Sequence, residues 1–189
     1  YDGTIARDGR ADPLVLEAIR EAQTRGIVVI LVTGRILADL QRVLPEHDLF
    51  DAIVAENGAV LAFPKTPIRR LTHPPSQVLL DGLCARAVAV GFGECIIGAD
   101  AAAAPELLEA IRKLELPLVL QFNHGRVMVL PQGINKATGL REALNTLRLS
   151  LHNCVGIGDA ENDYAMLDAC EIGVAVSWGS KALQQIADE

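Results

Sequence analysis

The sequence predicts an α/β protein, a doubly wound and mostly parallel sheet with a small inserted α+β cap domain. Two observations predict this class. Short apolar runs alternate with segments of helical spacing at both ends of the chain, the order that builds a parallel sheet between layers of helices. Between these regions the order changes to α-β-α-β-β. We therefore assign residues 1–63 and 132–189 to the core, truncated at both ends, and residues 64–131 to the cap.

The first elements of the core are predicted from their boundaries. Asp12 and Pro13 start a helix as its N-cap and first helical residue, and Gly26 ends it. The β-branched run Ile27–Val32 is typical of a parallel strand that is buried on both faces. The segments that follow are a helix over 36–44, a strand over 51–55, a turn at Glu56-Asn57-Gly58 and a strand over 59–63.

Prolines mark the start of the cap, where they form a linker. They stand at Pro64, Pro67, Pro74 and Pro75. The predicted elements of the cap are a helix over 78–90, a strand over 94–98, a helix over 105–114, and a hairpin of strands 117–122 and 126–130 with its turn at Asn123-His124-Gly125. The core then resumes with a helix over 136–147, a strand over 153–157, a helix over 162–169, a strand over 172–176 and a helix from Ser180.

Composition excludes several classes of protein. The 189 residues carry a net charge of −7 without a run of Lys or Arg, which argues against a nucleic-acid partner. No apolar stretch reaches the roughly 18 residues of a membrane-spanning helix, so no membrane partner is expected. Four cysteines without CxxC spacing lie in apolar surroundings, which indicates buried thiols, a reducing compartment and a cytoplasmic location.

Polar residues collect where the predicted strands end, which is where open α/β sheets bind ligands. Asp2 follows a first strand that would precede Tyr1, and Thr33-Gly34-Arg35 follows the next strand and opens a helix. Lys136 opens the first helix after the cap. Helix-start amides and a Thr hydroxyl suit a phosphate oxygen, and a lysine neutralises phosphate charge. These residues predict a phosphoryl-transfer site.

A third strand end carries the acidic residues. The apolar run from Cys154 to Ile157 stops at a glycine. Four polar residues follow within five positions: Asp159, Glu161, Asn162 and Asp163. Oxygen donors at the mouth of a helix suit Mg²⁺, which keeps water and substrate phosphate among its ligands. The alternative is a loop whose acids only cap the next helix. The stretch alone does not decide between the two.

Taken together, these motifs resemble those of haloacid-dehalogenase-superfamily phosphatases, in the Cof-like and sucrose-phosphatase-like branch, whose cap is inserted between the second and third motifs. The resemblance covers essentially the whole chain. The matching segments are Tyr1-Asp2-Gly3-Thr4, the remainder of an Asp-x-Asp-Gly-Thr loop; Val32-Thr33-Gly34-Arg35; Lys136; Gly158-Asp159 with Asn162-Asp163; and the branch signature Glu56-Asn57-Gly58.

The resemblance implies a role for each matching residue. The family nucleophile, an aspartate, would stand immediately before Tyr1 and is absent from this sequence. Asp2 would be the general acid and base, and its carbonyl would bind Mg²⁺. Thr33 and the Gly34 amide would hold the phosphoryl group, and Lys136 would bridge the phosphate and the nucleophile. Mg²⁺ would be bound directly by Asp159, with Asp163 as ligand or support and Asn162 in support.

Structural alternatives stand beside these roles. Thr33 could be a helix N-cap, Lys136 a solvated lysine and Asp163 an acid favoured by the helix dipole. Arg35 is predicted to form a salt bridge rather than to contact substrate, and Glu56 and Asn57 either fix a loop or touch substrate. Trp178 stands where the family carries a Gly-Asn-Ala-like turn, and could wall the pocket or cover the core.

We thus predict an enzyme, a Mg²⁺-dependent phosphohydrolase that acts on a small phosphorylated metabolite, such as a sugar phosphate or phosphoglycolate, through an aspartyl-phosphate intermediate. Two alternatives remain. One is a phosphomutase or phosphotransferase on the same site, and the other is a non-catalytic phosphate-binding regulatory domain of a longer protein. Fusion to further domains after Glu189 is also possible, because the chain stops within a helical pattern.

Overall fold

The computed structural model describes residues 1–123 and 125–189, so His124 of the predicted cap hairpin turn lies outside the described residues. The elements before the cap are β1 (Ala6–Arg7), β2 (Arg10–Ala11), α1 (Pro13–Thr24), β3 (Ile30–Val32), α2 (Leu37–Val43), β4 (Ala52–Ala55), β5 (Val60–Ala62) and β6 (Arg69–Arg70). The cap contains α3 (Gln77–Ala85), β7 (Val90–Phe92), β8 (Ile97–Asp100), α4 (Ala104–Lys113), β9 (Leu118–Asn123) and β10 (Arg126–Pro131). The last elements are α5 (Lys136–Leu147), β11 (Val155–Gly158), α6 (Tyr164–Ala169), β12 (Ile172–Ala175) and α7 (Lys181–Gln184).

Parallel strand pairs covered by helices form the core, which confirms the predicted α/β class. β3 pairs in parallel with β4, and β11 pairs in parallel with β12. The sheet continues from β4 to β5 and β6 through antiparallel pairs. Leu140 and Leu144 of α5 are buried with Met166 and Leu167 of α6, and Ile30 of β3 packs against this cluster. Helix α5 therefore joins the two parallel pairs into one core.

The prediction of a doubly buried strand over Ile27–Val32 is wrong in part. The strand begins only at Ile30, and the side chains of Ile27 and Val28 are 55% and 42% exposed. Within the described residues β3 is hydrogen-bonded to a neighbour on one side alone, to β4. An edge strand does not bury both faces along its whole length, so the continuous apolar run overstated the burial.

The cap has an antiparallel sheet and an apolar cluster of its own. Its strand order is β7-β8-β10-β9, and α3 and α4 cover one face around the buried residues Leu83, Leu107 and Val127. Where one strand was predicted over 94–98, the structure has the two strands β7 and β8. Gly91 and Gly93, which have low strand propensity, concealed β7 from the sequence reading.

The limits of the cap remain a prediction. Strand β6 lies beyond the predicted boundary at residue 64, yet it pairs with β5 of the core sheet. The predicted helix over 78–90 ends early, because Ala87 adopts a positive φ of 54° that an α-helix does not allow. The predicted helix over 162–169 begins as a 3₁₀ turn, Glu161–Asp163, which places Asp163 at the start of α6.

The prediction of buried cysteines holds fully at one position, since Cys154 and Cys170 are only half-buried. All four are free thiols, but Cys84 is exposed, whereas Cys95 is buried. Burial raises the pKa of the Cys95 thiol to about 11. The pKa of Cys170 is also raised to about 11, mainly by burial and to a smaller extent by the nearby Cys154. Among the described residues, we find no helix with the length and apolar character needed to span a membrane.

Candidate active site

A buried ion pair stands where the strand ends meet. Lys136, the first residue of α5, donates from its ammonium group to the Asp163 carboxylate, and both side chains are almost wholly buried. The other Asp163 oxygen accepts from the backbone amides of Asp159 at 3.1 Å and Ala160 at 3.2 Å. Lys136 is therefore not a solvated helix-start lysine, and Asp163 ties it to the loop after β11.

The electrostatics of Asp163 follow from these contacts. Burial by itself raises the pKa of the carboxyl group, but the Lys136 charge and hydrogen bond, with the two backbone amides, outweigh it and hold the pKa below the ordinary value. Asp163 is thus ionised at neutral pH, and its charge is balanced by Lys136.

Asp159 lies on the other side of the same loop, against the segment that opens the chain. The Thr4 hydroxyl donates to Asp159 Oδ1 at 2.6 Å. Gly3 has a φ of +78°, and a Cβ on it would lie 2.1 Å from Asp159 Oδ2. Glycine is therefore required at position 3 both by the backbone conformation and by the close approach of this carboxylate.

The backbone nitrogen of Tyr1 lies among the charged groups of the site. It is buried, and the charges of Lys136, Asp163, Asp2 and Asp159 all act on it. Residues from three separate segments, predicted from sequence to share one face, are thus brought together around the start of this chain.

The Thr33-Gly34-Arg35 segment follows β3 and turns into α2. Thr33 is buried, and its hydroxyl accepts from the Arg35 amide at 3.1 Å within the loop. It is not the helix N-cap of the structural alternative, because the N-cap of α2 is Ile36. The Thr33 carbonyl accepts from the Asn57 amide at 3.0 Å. Gly58 in turn lies against Asn135, the N-cap of α5, since a Cβ on Gly58 would be 2.0 Å from the Asn135 carbonyl oxygen. The loop with Thr33 is connected in this way to the helix that starts with Lys136.

The Asp2 side chain has a different partner from the other carboxylates. It accepts from Arg35 Nε at 2.5 Å and Nη2 at 2.6 Å, a bidentate ion pair that raises the pKa of Arg35. Arg35 also lies over the Tyr1 ring, 5.3 Å from its centroid. The predicted salt-bridge role of Arg35 is seen here, and the expected clustering of the Asp2 carboxylate with Asp159 and Asp163 is not.

The side chains of the site indicate whether it could hold a metal ion. No cluster of three or more His, Cys, Asp or Glu side chains in residues 1–123 and 125–189 is arranged to hold a metal. Both amide atoms of Asn162 are nevertheless buried without a hydrogen-bond partner among the described groups. A buried amide costs free energy unless it is hydrogen-bonded. Oxygen donors beside such an amide fit Mg²⁺ with its bound water, provided that further ligands come from outside the described side chains.

Glu56 and Asn57 turn out to join the core to the cap. The Glu56 side chain is fully buried, and it accepts from the amides of Glu94 at 2.9 Å and Cys95 at 2.8 Å. Asn57 Nδ2 donates to Gln121 Oε1 of β9 at 2.7 Å. The sequence left the role of both residues open. The signal for a structural role was the position of a charged residue and an amide between two apolar strands.

Trp178 lies at the edge of the site. Its indole Nε1 donates to the Gly3 carbonyl at 2.6 Å, and Arg7 lies over its ring, 5.3 Å from the centroid. The ring is 59% exposed, so it does not serve mainly to cover the core. It braces the loop that carries Asp2 and Gly3, a role that sequence reasoning did not foresee.

Comparison with known proteins agrees with this geometry. A family model of haloacid dehalogenase-like hydrolases matches residues 1–78 and 91–189. The chain is 26% identical to the phosphoglycolate phosphatase of Methanothermobacter thermautotrophicus, over 99% of this chain and 87% of the relative. It is 25% identical to a 5-amino-6-(5-phospho-D-ribitylamino)uracil phosphatase of Bacillus subtilis, over 99% and 85%. A haloacid dehalogenase-like hydrolase from Bacteroides thetaiotaomicron has a similar fold, with a TM-score of 0.80 and 18% identity over 99% of this chain and 90% of that one.

Proposed function

The chain belongs to the haloacid dehalogenase-like hydrolases and is an enzyme of the phosphatase type, and from this premise we propose that it hydrolyses a small phosphorylated metabolite by a Mg²⁺-dependent, aspartyl-phosphate route. The observation that carries the proposal is the buried Lys136–Asp163 pair beside the Tyr1 backbone nitrogen. A residue that precedes Tyr1 would lie next to a lysine able to neutralise phosphate charge. Two relatives are named for phosphoglycolate and for a ribityl phosphate, which supports a small substrate.

We assign the phosphate-binding role to Thr33, the Gly34 amide and Lys136. The Thr33 hydroxyl and the amides at the start of the α2 turn would donate to phosphoryl oxygens. Lys136 is held by Asp163 and cannot swing into solvent, so its charge is positioned in advance. Preorganised charge of this kind favours the transition state, because no reorganisation is needed during the reaction.

Mg²⁺ would be held by Asp159 and the Asp2 carbonyl, with Asn162 and Asp163 in support, and would supply charge neutralisation for the phosphoryl group. Asp159 already lies against the loop that carries Asp2. The Asp163 oxygens are engaged by Lys136 and two amides, which favours a supporting role over direct ligation.

Asp2 would give a proton to the leaving oxygen and later take one from the attacking water. Its carboxylate is paired with Arg35 in this structure, so the proposal requires that the ion pair opens or shifts when substrate binds. A covalent aspartyl intermediate divides one displacement into two easier steps.

The test is phosphate release from p-nitrophenyl phosphate by the full-length protein, with Mg²⁺ and with EDTA, beside the variants Asp2→Asn and Asp8→Asn. Asp8 is an exposed aspartate in the turn of the neighbouring β1–β2 hairpin and serves as the matched control. We expect turnover to need Mg²⁺, to fall about 100-fold or more in Asp2→Asn, and to stay within about twofold in Asp8→Asn.

Acid quenching should trap the phosphoryl group on an aspartate, as detected by peptide mass spectrometry. Turnover that survives both EDTA and Asp2→Asn would contradict the mechanism. Product formation only when a second acceptor is added would favour the phosphotransferase alternative.

A further inference from the structure

The cap sheet turns one face to its helices and the other to the catalytic core. Ile97, Val127 and Val129 point into the apolar cluster of the cap. Their neighbours therefore point the opposite way, because side chains alternate along a strand. Four residues in one register row across β9, β10, β8 and β7 lie on this core-facing side: Gln121, Met128, Gly98 and Gly91.

This row forms the contact between cap and core. Gln121 bonds to Asn57, and the Met128 thioether lies 3.4 Å from a Cβ placed on Gly34. A Cβ on Gly91 or Gly98 would lie 3.4 or 3.7 Å from Ile36 Cδ1. The core-facing side of the cap therefore sits directly on the segment after β3 that we assign to phosphate binding.

The two ends of this contact differ in character. Towards the end of β10 that leads into α5, Leu130 and Ile96 are buried with the core cluster, so no space remains there for a ligand. Towards the β9–β10 hairpin, Arg126 and Asp100 are exposed on the same face as Met128 and Gly98. The contact between cap and core is thus exposed to solvent on the side of Arg126, and we refer to this exposed edge as the cleft.

Arg126 turns its guanidinium towards the contact row. Its Nη2 atom lies 3.9 Å from a Cβ placed on Gly98, beside Ile36. It stands two residues before Met128, about 7 Å along the strand from the residue that touches Gly34. This is the distance that a molecule of a few carbon atoms would bridge.

The Arg126 guanidinium makes no hydrogen bond or ion pair with any residue that the structure describes. Arg35 and Lys136, by contrast, are paired with Asp2 and Asp163. Asp100 is opposite Arg126 in the sheet, but its carboxylate accepts from the Ala102 amide at 2.9 Å and caps the following turn. Arg126 is thus available to an anion in the cleft, and its planar fork suits a carboxylate.

We propose that Arg126 binds a carboxylate on the leaving-group part of the substrate, so that the cap selects small phosphorylated acids over neutral phosphate esters. This inference rests on the proposed phosphatase function. The phosphoryl group lies at Thr33, Gly34 and Lys136, and the acid end reaches up to the cap.

The test compares two substrates of the same carbon number, 2-phosphoglycolate and ethyl phosphate, with the full-length enzyme and Mg²⁺. The variants are Arg126→Gln, Arg126→Lys and the control Arg112→Gln, an exposed arginine on α4 at the other face of the cap sheet. Loss of a charge-assisted hydrogen bond should lower kcat/KM for phosphoglycolate about tenfold or more in Arg126→Gln. The kcat/KM of Arg126→Gln for ethyl phosphate should change less than about twofold. For phosphoglycolate, the kcat/KM of Arg126→Lys should lie between those of the parent and Arg126→Gln, and that of Arg112→Gln should equal the parent value.

Equal loss on both substrates, or no loss on either, would overturn the role of Arg126 while the phosphatase function stood. If the parent enzyme released phosphate neither from these two esters nor from p-nitrophenyl phosphate, the proposed function would fail. The role of Arg126 would then be decided by the binding of 2-phosphoglycolate in the presence of Mg²⁺, measured by calorimetry on the parent and Arg126→Gln. Equal or undetectable binding by the two proteins overturns the inference, and weaker binding by the variant supports it.

Discussion

At the residue scale, the chemistry of the site depends on which charges are paired. Asp2, Asp163 and Lys136 are similar in sequence context, since each stands at a strand or helix end. In the structure Lys136 and Asp163 neutralise each other in a buried position, and Asp2 faces Arg35 at a more exposed one. A buried pair is costly to break because the remaining charge is left without a partner.

We therefore expect Lys136→Met to destabilise the protein by about 3 kcal/mol at pH 7, measured by urea unfolding, with part of the loss recovered in Lys136→Met/Asp163→Asn. The pKa of Asp163 is lowered in the folded state. Its contribution is thus complete above the pKa of an unfolded aspartate and is lost as the pH falls through the lowered folded value. The difference in the free energy of unfolding between the parent and Lys136→Met should therefore become smaller as the pH is lowered.

The control for this prediction is Lys181→Met, because Lys181 is also the first residue of a helix but is exposed. It should leave stability within about 0.5 kcal/mol of the parent. A comparable loss in both variants would show that the Lys136–Asp163 pair is not the cause.

At the scale of elements, the turn after β4 and the first turns of α5 approach unusually closely. Glu56 and Asn57 both have positive φ values, 54° and 56°, and Gly58 follows with 102°. A Cβ on Gly139 of α5 would lie 2.5 Å from the Gly58 Cα and 2.6 Å from Val54 Cγ1. Glycine in the helix is required here by contact with another backbone, and this contact places the start of α5 beside the Thr33 loop.

Gly139→Ala should therefore destabilise the protein, although alanine favours a helix by about 1 kcal/mol over glycine. Gly82→Ala is the matched control, since Gly82 lies within α3 and a Cβ there would meet nothing within 4 Å. We expect Gly82→Ala to stabilise by up to about 1 kcal/mol. Thermal unfolding of the two variants, with opposite shifts of Tm, checks this. Shifts in the same direction would contradict the steric argument.

At the scale of the molecule, cap and core each have an apolar cluster of their own, and a further core cluster also includes Ile96, Met128 and Leu130 of the cap. Leu107 of α4 belongs to the cap cluster, and Leu144 of α5 to a core cluster. The Glu56 carboxylate and the Asn57–Gln121 hydrogen bond lie at the junction. Because Leu107 and Leu144 belong to different clusters, the part around one of them can open locally without the other.

Leu107→Ala should accelerate amide hydrogen exchange in cap peptides while leaving core peptides close to the parent rates, and Leu144→Ala should do the reverse. Each truncation removes a buried side chain and is expected to cost about 2–5 kcal/mol. Mass spectrometry of peptides from both parts measures the effect. If either variant accelerated exchange equally throughout, cap and core would unfold as one unit.

The sequence by itself determined the class of fold and the order of the core elements. Of the predicted site residues, Lys136 and Asp163 meet, whereas the Asp2 carboxylate is paired with Arg35. Helix α5 begins and ends at the predicted residues, and the capping box of Asn135 and Thr138 fixes its start locally. The lengths of the strands and the burial of their residues were harder to predict from the sequence. Ile27–Val32 has the composition of a buried strand, but burial depends on which neighbours pair with it.

Only the tertiary structure decided which partner each charge takes. Asp2 and Asp163 are both aspartates beside glycine or amide residues, and nothing in their local sequence assigns Arg35 to one and Lys136 to the other. The same holds for Glu56, whose partners Glu94 and Cys95 are in the cap, and for Arg126, which faces the cleft. Local propensity acts over a few residues, whereas ion pairs and clefts join segments far apart in the chain, so their geometry follows from packing alone.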